Sequence, residues 1–318
     1  MKKYLQNVIA ESGATLPVLV VYTLVVWLLA GLIVQGWWGQ LALLGVSVYL
    51  LIELSNGNAL LRMRSRMVSC SFLVLSSISI AWFHSFSCGL LTLCLIGTLL
   101  LLFHSYRSPT ASGATYYAFL LLGIASMGFM QLLYFIPLFW VLMAFELQML
   151  SWLTWRSSVL GLLTPYWLCV PWFVLRQENE LMMSRLSSLF HLENTFDLSQ
   201  LNVGQMVVLL FIVGLIIMGI AHFWRYNYQE KIRNRQLYGF FFYLSLASLF
   251  FLLMQPQHFD PLLRIIVVCA SPLTAHFFVH TRTKVTNALF FCIVTFSVLL
   301  TLDQLFPHLF SLGLWSGL

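Results

Sequence analysis

The sequence predicts an all-α membrane protein, a single domain over residues 1–318 that contains a bundle of about eleven transmembrane helices. Three observations lead to this prediction: the composition, the recurrence of apolar runs and the distribution of the basic residues. Of the residues, 60% are hydrophobic and only 8% are charged, whereas about a quarter of the residues of a soluble domain are charged. A water-soluble core could not bury this much apolar surface, so we expect lipid around the protein.

Apolar runs long enough to cross a bilayer recur along the chain. A crossing helix needs roughly 20 apolar residues, and a membrane barrel would instead show alternation in segments of about ten residues, which LPVLVVYTLVVWLLAGLIV lacks. The tight turn at 134–137 fits either a boundary between two spans or a re-entrant hairpin. The predicted spans are 16–37, 39–55, 67–84, 88–104, 116–135, 137–154, 157–175, 204–224, 237–254, 262–280 and 285–303.

The basic residues follow the alternation of these spans. With the N-terminus in the cytoplasm, thirteen Lys and Arg residues lie at inner ends and three at outer ends, which together make the 16 of the chain. Cytoplasmic loops collect Lys and Arg, so we expect a multi-pass protein of the bacterial inner membrane with its N-terminus inside and its C-terminus outside. The longest loop, 176–203, is then periplasmic, and its apolar spacing predicts an amphipathic helix that covers the bundle or closes over an outward cavity.

One outer segment, QHFDPLLR at 257–264, combines capping residues with a cation. Asp260 is a preferred N-cap residue and Pro261 suits the first helical position. Arg264 follows Asp260 by four residues and shares its helix face. The first interpretation is a capped helix with an interfacial ion pair.

The second interpretation is an anion site at the outer surface. An arginine fork suits phosphate or carboxylate groups, so Arg264 and Arg176 are the candidate substrate-binding residues. Asp260, His258 and Glu178 are the candidates for acid–base chemistry at the same surface.

Two acidic residues fall within predicted spans. Glu146 is placed mid-span, where an ionised carboxylate is costly unless it is paired or protonated. It is interpreted either as a protonated side chain bonded between helices or as a proton-relay carboxylate. Glu53 lies near an inner end, where it could pair with Arg62 or Arg66.

The remaining polar residues carry weaker signals. His276 and His280 are spaced i, i+4, and His104 and His222 are expected at a similar depth, but one HxxxH pattern is a weak metal signal. The six cysteines are scattered singly, and no phosphate-binding loop, dinucleotide fingerprint or HExxH motif occurs. The sequence thus predicts no metal ion, no cofactor and no nucleic-acid partner.

Three stretches carry a resemblance to a known family: DPLLRIIVVCASPLTAHFFVHTRTKVTNALFFCIVTFSVLL, IELSNGNALLRMRSRMVSCSFLVLSS and WRSSVLGLLTPYWL. They resemble a family of Bacteroidota polytopic inner-membrane proteins that has a domain of unknown function, so no activity follows from it. The number of spans, the outward arginines and the modest outer loop are also similar, in architecture only, to polymerases and transferases that use polyprenyl-linked sugars.

Three functions remain open, and the sequence does not decide whether the protein is an enzyme. The first is an inner-membrane protein that handles a polyprenyl-phosphate-linked glycan or a related lipid at the outer leaflet. The second is a non-catalytic membrane subunit of an envelope complex with a protein partner. The third is a proton-coupled transporter that uses Glu146. In each case membrane lipids surround the protein.

Overall fold

The computed structural model describes residues 4–61, 65–79, 81–175, 189, 196, 201–226, 228 and 230–306. These residues form α-helices, short 3-10 helices and connecting turns, and the described ranges contain no β-strand. The α-helices of this part of the chain are α1 (Leu5–Glu11), α2 (Thr15–Leu29), α3 (Leu32–Gln35), α4 (Trp38–Gly57), α5 (Met67–Ser77), α6 (Ala81–His84), α7 (Phe86–His104), α8 (Ser112–Gly128), α9 (Ile136–Phe145), α10 (Trp152–Leu175), α11 (Val203–Tyr226), α12 (Ile232–Met254), α13 (Phe259–His280) and α14 (Lys284–Leu305).

Six helical segments in the described residues are long and apolar enough to cross a membrane: α4, α7, α11, α12, α13 with its preceding 3-10 turn, and α14. A seventh is obtained if α1 and α2, which meet at 88°, are counted as one bent span. The all-helical fold expected from the sequence is therefore confirmed for the described residues, and six of its segments are candidate membrane spans.

Helix α13 lies at the centre of the bundle. Its most apolar 18-residue window is entirely buried inside the protein, and it packs against α1, α5, α7, α11 and α12. Close packing is visible at Gly219 of α11, where an added Cβ would lie 2.9 Å from the carbonyl carbon and oxygen of Leu273. Small residues at helix contacts are typical of membrane bundles, because they let backbones approach.

One end of the bundle, which we call the basic end, is held together by polar contacts between connecting segments. It comprises residues 4–15, 58–61, 65–67, 104–112, 146–152 and 280–284, with the segment before α12. The Asn7 side chain donates to the carbonyl of Thr281 at 3.0 Å, and the Ser65 hydroxyl donates to the carbonyl of Ala10 at 2.5 Å. At the opposite end, the rings of Trp37 and His84 lie 4.5 Å apart.

Two predicted span boundaries are wrong. The predicted span over 137–154 ends at Phe145, and α10 begins at Trp152. Between these two helices the chain is not helical. The carbonyl of Leu147 accepts a hydrogen bond from the backbone N–H of Arg107 at 3.0 Å, and Gln148 has a φ of 51°.

The expected turn at 134–137 is also misplaced. A 3-10 helix, Met130–Phe135, continues directly into α9 at Ile136. The break lies instead at Phe129, whose backbone is extended with φ −139° and ψ 92°. Pro137 causes no break because proline is tolerated in the first turn of a helix.

Candidate functional site

Both ends of α13 carry buried polar side chains. Arg264 lies near the start of the helix, and His276 and His280 lie near its end. Polar groups inside a membrane bundle are costly to bury and are usually functional or paired. These two places, together with the cavities around them, form the candidate functional site.

The start of α13 differs from the sequence prediction. The helix begins at Phe259, so His258 is the N-cap residue and Asp260 lies in the first turn. The helix begins earlier than predicted because the 3-10 turn Pro256–His258 continues directly into it. Asp260 still suits this place, because a negative charge in the first turn interacts favourably with the helix dipole.

Arg264 occupies a narrow cavity between α2, α4, α5 and α7. Its side chain is buried, and its Nη1 would lie 3.9 Å from a Cβ added at Gly89, so the guanidinium reaches α7. The cavity measures about 30 Å³, which is room for about two water molecules. It is lined by Trp27, Gln40, Leu44, Ser47, Phe72, Ser76, Phe83, Gly89, Thr92 and Arg264.

The other residues predicted for the outer surface are only partly brought together. Asp260 interacts electrostatically with Arg264 and with His84, and its Oδ1 is buried without a hydrogen-bond partner among the described residues. The ring of His258 packs edge-on against Phe129 at 5.5 Å. Arg176, Glu178 and almost all of the loop 176–203 lie outside the described residues.

A larger apolar groove lies nearer the basic end. It has a volume of about 470 Å³ and opens at the exposed apolar surface of the bundle, beside Val18 and Phe291. Helices α1, α2, α5, α11, α13 and α14 supply its walls. The polar side chains along it are Ser12, Thr15, Ser71, Thr274 and Ser297, so the lining is mainly aliphatic and aromatic.

Glu146 is not mid-span as predicted. It follows the last residue of α9 and its carboxyl packs against Gly239, where an added Cβ would lie 2.9 Å from the carboxyl atoms. With Arg235 and Tyr238 it lines a cavity of about 170 Å³. Burial raises the pKa of the Glu146 carboxyl, because desolvation disfavours its charged form.

Glu53 is exposed on the last turns of α4. Within the described part of the chain it forms no ion pair, so pairing with Arg66 is not observed. Arg62, its other predicted partner, lies outside the described residues.

The end of α13 holds a cluster that we call the histidine–glutamate cluster: Glu230, His276 and His280. Oε1 of Glu230 lies 3.7 Å from Nε2 of His276 and 3.6 Å from Nε2 of His280. One potential ligand atom from each residue lies within 4.8 Å of the other two. Glu230 and His276 are buried, and His280 is partly buried.

Three neighbouring helices fix the geometry of this cluster. His276 and His280 face the same way because they are one turn apart on α13, with ring centroids 4.4 Å apart. Phe223 of α11 and Tyr238 of α12 pack against His276 with ring centroids at 5.3 and 5.0 Å. Glu230 reaches the pair from the segment just before α12.

Sequence analysis found the two histidines but missed Glu230. The carboxylate lies in the segment EKIRNRQ, among basic residues, and it is distant from His276 along the chain. No spacing rule connects them; only the packing of α12 against α13 does.

Comparisons of the chain with protein-family models, with curated proteins and with solved structures found no match. The functional argument therefore depends on the geometry described above.

Proposed function

We propose that the protein binds a long-chain lipid with an anionic head group inside the membrane, of the polyprenyl-phosphate class expected from the sequence. The observation that carries the proposal is the apolar groove of about 470 Å³, which opens to the lipid phase. Binding sites of this size, lined by apolar side chains, suit apolar ligands. In a membrane, the occupant of such a groove is a lipid chain.

The position of the groove relative to Arg264 supports a phosphate-bearing lipid. Helices α2, α5 and α13 line both the groove and the Arg264 cavity. Along α13, Thr274 of the groove is ten residues beyond Arg264, a separation of about 15 Å at 1.5 Å per residue. A lipid whose chain fills the groove can therefore direct its head group towards Arg264.

The head-group site requires a local opening. The cavity at Arg264 has room for about two waters, and a phosphate group is larger. On this proposal α4 and α7 separate when the head group enters, and the Arg264 guanidinium binds it through its fork of donors. Asp260 and His258 are the nearby groups available for acid–base chemistry if the bound lipid is also transformed.

The proposal includes the eleven crossings and the orientation expected from the sequence. On this proposal the crossings run alternately between the basic end and the opposite end. They are α2, α4, α5 with α6, α7, α8, the 3-10 helix with α9, and α10 to α14. If the basic end is cytoplasmic, Arg264 lies towards the periplasmic face of the inner membrane. The head group would then belong to the outer leaflet.

The two alternative functions have less support. A proton-coupled transporter is expected to place its carboxylate near the midplane beside broken helices. Glu146 lies beside the break between α9 and α10, but its carboxyl packs against Gly239, in the half of α12 that begins at the basic end. A subunit role in an envelope complex remains compatible with the fold, and no described contact favours it.

The test is lipid retention after purification in mild detergent. Val74, which lines the groove on α5, is replaced by Trp to fill it, and Leu210, which is exposed on α11, is replaced by Trp as the matched control. Mass spectrometry of extracted lipid should find a tightly bound anionic lipid in the parent protein and in Leu210→Trp. In Val74→Trp we expect roughly tenfold less, which corresponds to about 1.4 kcal/mol of binding free energy.

The variant Arg264→Lys tests the contribution of the lipid head group to binding separately from that of the lipid chain. Lysine keeps the charge but lacks the planar fork, so we expect the variant to fold and to retain less anionic lipid than the parent protein. Equal lipid in the parent protein, Val74→Trp and Arg264→Lys would contradict the proposed function.

A further inference from the structure

We propose that Glu230, His276 and His280 bind a divalent transition-metal ion at the basic end of α13, and that Zn²⁺ is the ion that these ligands suit best. This site lies on a different face of α13 from the apolar groove, and the proposal does not depend on lipid binding.

The ligand set is the first argument. Imidazole nitrogen and carboxylate oxygen are both normal zinc ligands, and two histidines with one glutamate form a known zinc ligand combination. Soft thiolate sites select other metals, and all-oxygen sites suit Mg²⁺ or Ca²⁺. A mixed nitrogen and oxygen set therefore points to Zn²⁺ or a similar first-row ion.

The distances are the second argument. Zinc bonds of about 2.0–2.1 Å in a tetrahedron place neighbouring ligand atoms about 3.3 Å apart. The separations of Glu230 Oε1 from the two imidazole nitrogens are 3.7 and 3.6 Å, and one ligand atom from each of the three residues lies within 4.8 Å of the others. Small side-chain rotations would bring all three to bonding distance.

The burial of His276 is the third argument. This side chain is 1% exposed, and neither of its ring nitrogens has a hydrogen-bond partner among the described residues. Buried polar groups are almost always satisfied, so such a histidine needs an explanation. A metal ion bound to one ring nitrogen of His276 would explain why this histidine is buried without a hydrogen-bond partner.

The site differs from a structural zinc site in the number of its ligands. Structural sites use four protein ligands, whereas sites with three keep a position for water. The described cluster supplies three, so we assign the remaining position to a water molecule. His222 is not in this cluster, although its ring centroid lies 5.4 Å from that of His276.

The alternative is an ion pair or hydrogen-bonded group of the same three residues without a metal. The two cases differ in what the full-length protein binds. Glu230→Gln and His280→Gln keep the size of each side chain and remove a ligand, and His280 is partly exposed, which limits the effect on packing. His104→Gln, at an exposed histidine near the same end of the bundle, is the matched control.

Zinc content should be measured by mass spectrometry on detergent-purified protein that has been stripped of metal and then equilibrated with Zn²⁺. We expect about one zinc per chain in the parent protein and in His104→Gln, and at least roughly tenfold weaker binding in the two ligand variants. Zinc should also raise the Tm of the stripped parent protein, because a ligand that binds only the folded state stabilises it.

A second measurement does not depend on any variant. Co²⁺ added to the stripped parent protein should give the visible absorption of a four-coordinate ion, and Zn²⁺ should displace it. Failure of the parent protein to bind either ion, or Glu230→Gln binding zinc as tightly as the parent protein, would overturn the proposal and leave the ion pair.

Discussion

Helices α13 and α14 are consecutive and similar in hydropathy, yet they occupy opposite environments. Their most apolar windows have mean hydropathies of 1.9 and 2.1, but the first is 100% buried in protein and the second only 22%. Hydropathy therefore reports that a helix can lie in a membrane and does not report what surrounds it there.

The polar residues reveal the difference. Helix α13 carries the ionisable residues Arg264 and His276 within its length, whereas α14 places its charged residues, Lys284 and Asp303, near its two ends. Ionisable side chains inside a membrane face other protein groups. A helix that carries such residues within its length is therefore expected to be surrounded by other helices, and both parts of the candidate site lie on this one.

Matched alanines give the largest expected contrast between the two helices. Ala275 of α13 is fully buried and Ala288 of α14 is exposed. We expect Ala275→Leu to destabilise the protein by about 1–3 kcal/mol, because a packed core must move to admit the added atoms. Thermal unfolding in detergent should show a lower Tm for Ala275→Leu and nearly the parent value for Ala288→Leu. Equal Tm values for both would mean that α13 is not enclosed.

Two glycines of α11 test how closely this neighbour approaches α13. A Cβ at Gly219 would meet the backbone of Leu273 at 2.9 Å, whereas none of the described residues has an atom within 4 Å of a Cβ added at Gly214. We expect Gly219→Ala to destabilise by about 1–2 kcal/mol and Gly214→Ala to stabilise by up to about 1 kcal/mol, since alanine is the better helix former. The same unfolding measurement checks both, and a stabilising Gly219→Ala would contradict the close approach.

Hydroxyl groups give the smallest expected contrast. The Ser271 hydroxyl, fully buried on α13, donates to the carbonyl of Val267 at 2.6 Å, and the Thr295 hydroxyl, exposed on α14, donates to that of Phe291 at 2.9 Å. Hydrogen bonds inside membrane proteins contribute about 0.6 kcal/mol on average, so Ser271→Ala should lower stability by about that amount. Thr295→Val should lower the stability less than Ser271→Ala does. A larger loss of stability for Thr295→Val would contradict the difference between the two helices.

Much of the fold could be predicted from the sequence, because span length and charge alternation are local signals. The predicted segment 88–104 corresponds to Phe86–His104, and 204–224 to Val203–Tyr226. The break in the helix at 146–151 could not be predicted from these local signals. It arises where Arg107, distant along the chain, supplies a donor to the Leu147 carbonyl.

The candidate site was predicted only in part. Arg264 was a candidate because an arginine fork at the outer surface suits phosphate. Its burial in a narrow cavity depends on other helices that the sequence does not place. The histidine pair was visible as an i, i+4 spacing, but its carboxylate partner was not. Sites formed by residues far apart in the chain require knowledge of which helices touch.

The most direct measurement of the central claim, that α13 is the protein-enclosed helix bearing the polar groups, is photolabelling of the parent protein in lipid nanodiscs. A hydrophobic carbene reagent dissolved in the bilayer labels side chains that contact lipid, and peptide mass spectrometry locates the labels. The account predicts labels on α14, repeating about every 3.6 residues along its lipid face. It predicts none on α13 from Leu262 to Leu273, the stretch before the groove-lining Thr274. Labelling of α13 at the level found on α14 would contradict it.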